Sequence, residues 1–318
     1  MKSRRAFLVE PGRFEISEAD VAPAMDEVMV KVSACGLCNW EINHWKGFLG
    51  QYPQTLGHEY GGTVVALGRG TDNFTEGDLV TGLGDDMIGF SDYAVFHKSK
   101  CFKLKKNFDP RHVLGEPLKC VVTVLRGAAP EAGDVGIMLG CGPMGLWCIQ
   151  GLSGNSLSAL IALDIDDEKL KLAKAFGATH VINTRTQDAV QVISEITGGH
   201  MVDFVIEGTG IPEILNKGMY YLKKGRGRLI LMSSHEAAAA SGFDFRPAVE
   251  RSLEIRVAHP GYSMDQTEDM RRAAVFMNKG VFRMDGIVSH IFKLENIQKA
   301  FETLENKPAG YMKGVVTP

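Results

Sequence analysis

The chain has 318 residues, of which 45% are hydrophobic and 23% charged, with a net charge of −3. That length suggests two domains of about 150 residues each, and a balanced, scattered charge argues against nucleic acid or an anionic membrane as partner. No run reaches the roughly 18 apolar residues of a membrane helix, and the apolar stretch of residues 6–9 is too short for a signal-peptide core. The expectation is a cytoplasmic protein whose six cysteines stay reduced.

Over the first 120 residues the strand-like runs are EVMVKVSA, TVVALG, DLVTGL and SDYAVF, punctuated by Gly and Pro and almost without helical periodicity, which predicts a mostly β domain. From Asp134 to Ala258 six short Ile/Val/Leu-rich runs follow: DVGIMLG, ALIALD, HVIN, VDFVIE, GRLILM and SLEIRVA. Amphipathic segments such as DDEKLKLAKAFGA and QDAVQVISEITGG separate the first five, so this half reads as a parallel sheet covered on both faces. His235 to Gly242, HEAAAASG, reads as an exposed loop or a helix start. The tail predicts a helix over EDMRRAAVFMNKG, a strand over GIVSHIF and a second helix over LENIQKAFETLEN.

After the strand GIML comes GCGPMG, with Gly140, Gly142 and Gly145 in GxGxxG spacing, and then the helix MGLWCIQGL. The first glycine permits the tight turn, the second lets the backbone approach a pyrophosphate, and the third allows close helix packing. Pro143 suits the helix start, and Met144 follows it at the helix end whose amides would face the phosphates. Asp164 closes the next strand nineteen residues beyond Gly145, where a carboxylate bonds the ribose hydroxyls and repels a 2′-phosphate. No Arg follows it closely, so NAD is expected rather than NADP. Lys169, five residues on, is the further cofactor candidate, and the alternative use of Asp164, a helix N-cap, could fall to Asp166 instead.

CGLC, Cys35 to Cys38, suits a redox pair, half of a structural zinc site, or one ligand of a dispersed metal centre. No second short-spaced pair exists to complete a structural site: Cys101, Cys120, Cys141 and Cys148 are isolated. What recurs is single ligand-type residues beside glycines or at element ends: Cys38, then His58 and Glu59 in GHE, then Glu116 in GEPL.

On these residues the chain resembles the zinc-dependent medium-chain alcohol and polyol dehydrogenases, in particular the sorbitol-dehydrogenase-like branch. The resemblance runs from EVMVKVSACGLC through LGHEYGGTVVALG, GEPL, LGCGPMG and LDIDDEKLKLAKAFGATHVIN to IVSHIFKLENIQKAFE. It implies an α/β protein with a GroES-like, mostly β catalytic domain (residues 1–120 and 259–318) joined to a Rossmann NAD-binding domain (121–258). It also implies that Cys38, not Cys35, binds the catalytic zinc with His58 and Glu116, while Glu59 can enter or leave the coordination shell. Three protein ligands and an open position suit a catalytic zinc, whose charge a thiolate and a carboxylate balance. The family's four-cysteine structural zinc lobe is absent, so one Zn2+ per chain is expected.

Two further departures concern the proton. Relatives carry a Ser or Thr two residues after the metal cysteine; here stands Trp40, and Asn43 replaces the histidine three residues later. Glu41 falls where the family has an acid bracing the zinc histidine. His44 is the substitute relay candidate, its alternative an ordinary surface histidine, and His290 reads as structural. The expected function is hydride transfer between a secondary alcohol, polyol or sugar-derived, and NAD, by a homo-oligomer of two or four copies. A metal-free NADPH quinone or enoyl reductase and a non-enzymatic nucleotide-binding protein are the rival readings.

Overall fold

A computed structural model describes residues 1–105, 107–233, 242–259 and 262–318. The chain divides into two compact units: Met1–Lys119 with Met270–Gly280 and Met284–Pro318, and Cys120–Asp269 with Val281–Arg283. The return to the first unit at Met270 comes later than the boundary drawn from sequence at residue 259. Asp269 accounts for the delay: it is buried, and it accepts hydrogen bonds from Thr123 Oγ1 at 2.9 Å and Ser263 Oγ at 2.6 Å, both in the second unit.

The first unit opens with a hairpin that the sequence did not reveal, β1 (Lys2–Glu10) and β2 (Arg13–Asp20), turned at Gly12 with φ +75°. β3 (Glu27–Gly36), the short α1 (Ile42–Trp45), β4 (Glu59–Leu67), β5 (Leu79–Gly82), β6 (Tyr93–His97) and β7 (Cys101–Leu104) follow, and α2 (Glu116–Ala128) leads out. The predicted β character holds, with every strand run of this half present.

In the second unit strands and helices alternate: β8 (Val135–Leu139), α3 (Pro143–Leu152), β9 (Ala159–Asp164), α4 (Asp167–Ala175), β10 (His180–Asn183), α5 (Ala189–Ile196), β11 (Phe204–Glu207), α6 (Pro212–Tyr221), β12 (Arg228–Leu231), α7 (Phe245–Arg251) and β13 (Glu254–Val257). All six strands are parallel, in the order β10-β9-β8-β11-β12-β13. That is the doubly wound order of a dinucleotide fold, with its switch point beside the first strand. Ile137, Ile161 and Val205 are wholly buried in the middle of it, which is why these strands read as continuous apolar runs. Residues 235–241 of the HEAAAASG segment lie outside the described residues.

The tail adds α8 (Gln266–Asn278), β14 (Val288–Lys293), α9 (Ile297–Asn306) and β15 (Lys313–Thr317). The last strand completes the first unit's sheet, ordered β14-β15-β3-β4-β5-β7, with β6 also on β3. Ile297, Ala300, Phe301 and Leu304 recur at three and four along α9 and are all buried, packing into one cluster with Val28, Val30, Phe90 and Phe96. Truncating the fully buried Phe301 to Ala should cost about 3–5 kcal/mol. Among the described residues no helix is long and apolar enough to cross a membrane.

Candidate metal centre and nucleotide loop

β3 and β4 run antiparallel with Gly36 opposite Glu59, and β15 pairs on the other side of β3 with Val315 opposite Gly36. Three adjacent strands therefore deliver Cys38, His58 with Glu59, and Lys313 to one end of the sheet. One ligand atom each from Cys38, His58 and Glu59 lies within 4.8 Å of the others. Glu116, at the start of α2, stands outside that tight group, with Oε2 3.8 Å from His58 Nε2. Cys35 is fully buried against Gly57 and Gly89, so the two cysteines of CGLC part company.

Glycines shape this end of the sheet. A Cβ on Gly36 would lie 2.1 Å from Glu59 Oε2, so the carboxylate occupies space that only glycine leaves free. Gly57 has φ +99°, and a Cβ there would meet the Phe90 amide nitrogen at 2.7 Å.

Glu41 is completely buried, and its Oε1 accepts from the Gly57 amide at 2.7 Å and from His58 Nδ1 at 3.0 Å. A carboxylate only accepts, so Nδ1 carries a hydrogen, and Nε2 is the ring nitrogen turned toward Glu116. Two buried lysines complete the polar set. Lys313 Nζ sits 2.5 Å from Glu59 Oε2 and donates to the Leu37 carbonyl at 3.0 Å, while Lys119 Nζ sits 2.8 Å from Glu116 Oε1.

Without an ion the charges lean on one another. Burial disfavours a charged His58, but Glu41, the Cys38 thiol and Glu116 outweigh it and hold its pKa well above the ordinary value. Burial and the nearby Glu59 push the Cys38 thiol up, against His58 and Lys313. For Lys313 burial alone would lower the pKa; Glu59 and Cys38 reverse the sign and raise it.

Trp40 is 44% exposed, and its ring forms T-shaped pairs with those of His44 (centroids 4.7 Å apart) and His58 (5.7 Å). His44 is buried rather than at the surface: Nδ1 pairs with Gln54 Oε1 at 2.8 Å, its carbonyl accepts from the Tyr52 hydroxyl at 2.6 Å, and Nε2 has no partner. His290, on β14, pairs with the neighbouring Ser289 hydroxyl at 2.9 Å.

In the second unit the glycine loop joins β8 to α3. Gly140 has φ +90°, and a Cβ on Gly145 would lie 2.0 Å from the Gly140 carbonyl oxygen; a Cβ on Gly142 would meet nothing within 4 Å, leaving that face open. Pro143 is the first residue of α3, followed by Met144. Asp164 Oδ2 accepts the Cys141 amide at 2.7 Å, and Oδ1 accepts the amides of Ile165 and Asp166 at 2.7 and 3.0 Å. Asp166 caps α4, accepting from Glu168 at 2.9 Å and Lys169 at 3.4 Å. Glu207, not singled out from sequence, is buried at the end of β11 and accepts the amides of Thr209 and Gly210 at 2.7 and 3.1 Å; the Thr209 methyl lies 2.9 Å from where a Gly140 Cβ would be. The signal was an acid at a buried strand end followed by Gly-Thr-Gly.

Residues 24–106 match the sequence profile of the alcohol dehydrogenase GroES-like domain, and residues 143–279 that of the zinc-binding dehydrogenases. D-arabinitol dehydrogenase 1 of Uromyces fabae is 28% identical over 94% of this chain and 93% of its own. Sorbitol dehydrogenase of Halalkalibacterium halodurans is 25% identical over 96% of both chains. The crystal structure of an oxidoreductase/dehydrogenase of unknown specificity from Escherichia coli superposes with a TM-score of 0.88 at 25% identity, covering 100% of this chain and 99% of that one. With both halves of its fold matched in this way, the chain belongs to the zinc-type medium-chain alcohol and polyol dehydrogenases and is an oxidoreductase.

Proposed function

We propose that this dehydrogenase depends on one zinc ion and NAD and interconverts a secondary alcohol, a polyol or sugar derivative, and the corresponding ketone. The observation that carries the reading is the convergence of Cys38, His58 and Glu59 within 4.8 Å, with His58 oriented by the buried Glu41. The donor set fits the ion: a thiol, an imidazole with its free nitrogen turned inward, and carboxylates that are otherwise served by lysines. Cys38, His58 and Glu116 would hold it, with Glu59 in reserve. Bound there, zinc would act as a Lewis acid that lowers the pKa of an alcohol hydroxyl.

The chain's own residues do the rest. Glu41 keeps His58 in the ligating tautomer. Trp40 offers an exposed indole face beside His58 for the carbon skeleton of a substrate, and His44 and Glu59 are the groups able to take a proton in place of the missing hydroxyl relay. The first unit, with its GroES-like sheet, supplies this chemistry. The second unit, the Rossmann half, binds NAD: the amides of Gly142, Met144 and Gly145 at the start of α3 face the pyrophosphate, those of Gly140 and Cys141 being taken by Leu163 and Asp164, and Asp164 and Lys169 meet the ribose. The arabinitol and sorbitol dehydrogenases among its relatives support a polyol as substrate. A cytoplasmic homo-oligomer of two or four copies belongs to the same reading.

The deciding experiment measures metal and turnover together. Purified protein should hold one zinc per chain and oxidise at least one member of a polyol and sugar panel with NAD. Two zincs, or none after gentle purification, would overturn the metal assignment. A metal-free chain that reduces quinones or enones with NADPH would establish the rival reductase instead.

A further inference from the structure

Lys119 lies on the first turn of α2, three residues after Glu116, and both side chains are about nine-tenths buried. An exposed pair at this spacing contributes only a few tenths of a kcal/mol. Burying an ammonium is costly even when it is paired, and an apolar side chain of the same length is often no less stable in such a place. Stability is therefore a poor reason for a lysine here, and its position offers a better one. Glu116 has one oxygen, Oε1, 2.8 Å from Lys119 Nζ, while the other, Oε2, is 3.8 Å from His58 Nε2. Glu59 likewise has one oxygen, Oε2, 2.5 Å from a buried lysine, Lys313.

We propose that Lys119 is a positioning residue that keeps Oε1 of Glu116 away from the metal, so that the carboxylate offers the ion a single oxygen. The inference rests on the zinc reading above. Its consequence is a deliberately weakened hold. A catalytic zinc needs a coordination position left open for substrate, and a carboxylate free to turn both oxygens inward would fill it.

The test loads Co2+ in place of zinc and compares wild type with Lys119→Met, Lys119→Gln and Lys119→Arg. The readouts are the visible absorption of the bound cobalt, which weakens as its coordination number rises, and the rate of metal release to a chelator. Removing the ammonium should weaken the absorption and slow release about tenfold, equivalent to about 1.4 kcal/mol, while Lys119→Arg should stay within about twofold of wild type. Lys119→Gln provides the same comparison if the Met variant does not fold. A lysine with a merely structural role would, on removal, leave Glu116 misplaced, so faster release, or release and spectrum both unchanged, overturns the proposal. A wild-type chain that takes up neither ion overturns the zinc reading and this inference with it; a wild type that binds normally beside an indifferent variant overturns this inference alone.

Discussion

His58 Nδ1 and the Gly57 amide share a single acceptor, Oε1 of the fully buried Glu41, at 3.0 and 2.7 Å. One oxygen thereby fixes both the orientation of the imidazole and the backbone that carries it. Glu41→Gln keeps an oxygen in place but removes the charge that makes His58 a better donor to a cation. Zinc affinity in this variant should fall about 10- to 100-fold, measured by competition with a chelator, with the circular dichroism spectrum unchanged. An affinity equal to wild type would show that Glu41 serves only the Gly57 turn.

Asp164 is anchored by three amides, those of Cys141, Ile165 and Asp166, so its carboxylate cannot swing away from a 2′-phosphate at little cost. The like-charge clash should favour NAD over NADP by about 3 kcal/mol, roughly a hundredfold in affinity. In Asp164→Asn, which retains one of the two accepting oxygens, that preference should shrink to within about tenfold. Equal kinetics with the two cofactors in wild type would refute the role.

The nucleotide half of the fold was legible because a parallel sheet buried on both faces writes itself as unbroken apolar runs, and each of those runs is a strand here. The first half was legible at the residues that converge at the end of its sheet, Cys38, His58 and Glu59, which stand at or beside strand ends, but not at its lysines. Lys313 reaches the site only because β15 pairs with β3, a contact between residues such as Lys313 and Leu37 that are 276 positions apart. Nothing local to KGVVT announces that pairing. The β1–β2 hairpin stayed hidden for a different reason: RFEISEAD is exposed along most of its length, and its apolar alternation stops after Phe14 and Ile16, too short a signal for a half-buried strand. His44 could not be placed from sequence either, since its burial depends on Gln54, Tyr52 and Trp40 closing around it.

Arg4 grips Asp92 through its backbone amide (2.8 Å) and its guanidinium (2.8 Å), tying β1 to the approach of β6. Burial pushes the Asp92 pKa up, but Arg4 and Lys31 more than compensate, and the net shift is downward. A carboxylate depressed in the folded state stabilises the fold above its unfolded pKa, near about 4, and loses that contribution as pH falls through the lower folded value. The stability gap between wild type and Asp92→Asn should therefore be full at pH 6 and close progressively below about pH 4. Thermal melts of both proteins across that range would check it; a gap that widens toward acid would reverse the sign of the argument.

Trp40 bears on substrate choice through its position. It is 44% exposed, with its ring nearly perpendicular to two imidazoles, one of them His58. The inward, purely packed placement that a large aromatic often takes is thus not the one adopted. An indole presented beside a would-be zinc ligand offers an apolar face to the C–H surface of a sugar or polyol and a ring N–H to one of its hydroxyls. Short aliphatic alcohols gain little from such a face. Trp40→Ala should raise KM for a polyol or sugar about tenfold, equivalent to about 1.4 kcal/mol of lost stacking, and change kcat less. Because the ring also touches His58, zinc content must be measured in the same preparation, and it should remain one per chain. An unchanged KM, or a wild-type preference for short alcohols over every polyol and sugar tested, would remove Trp40 from substrate recognition.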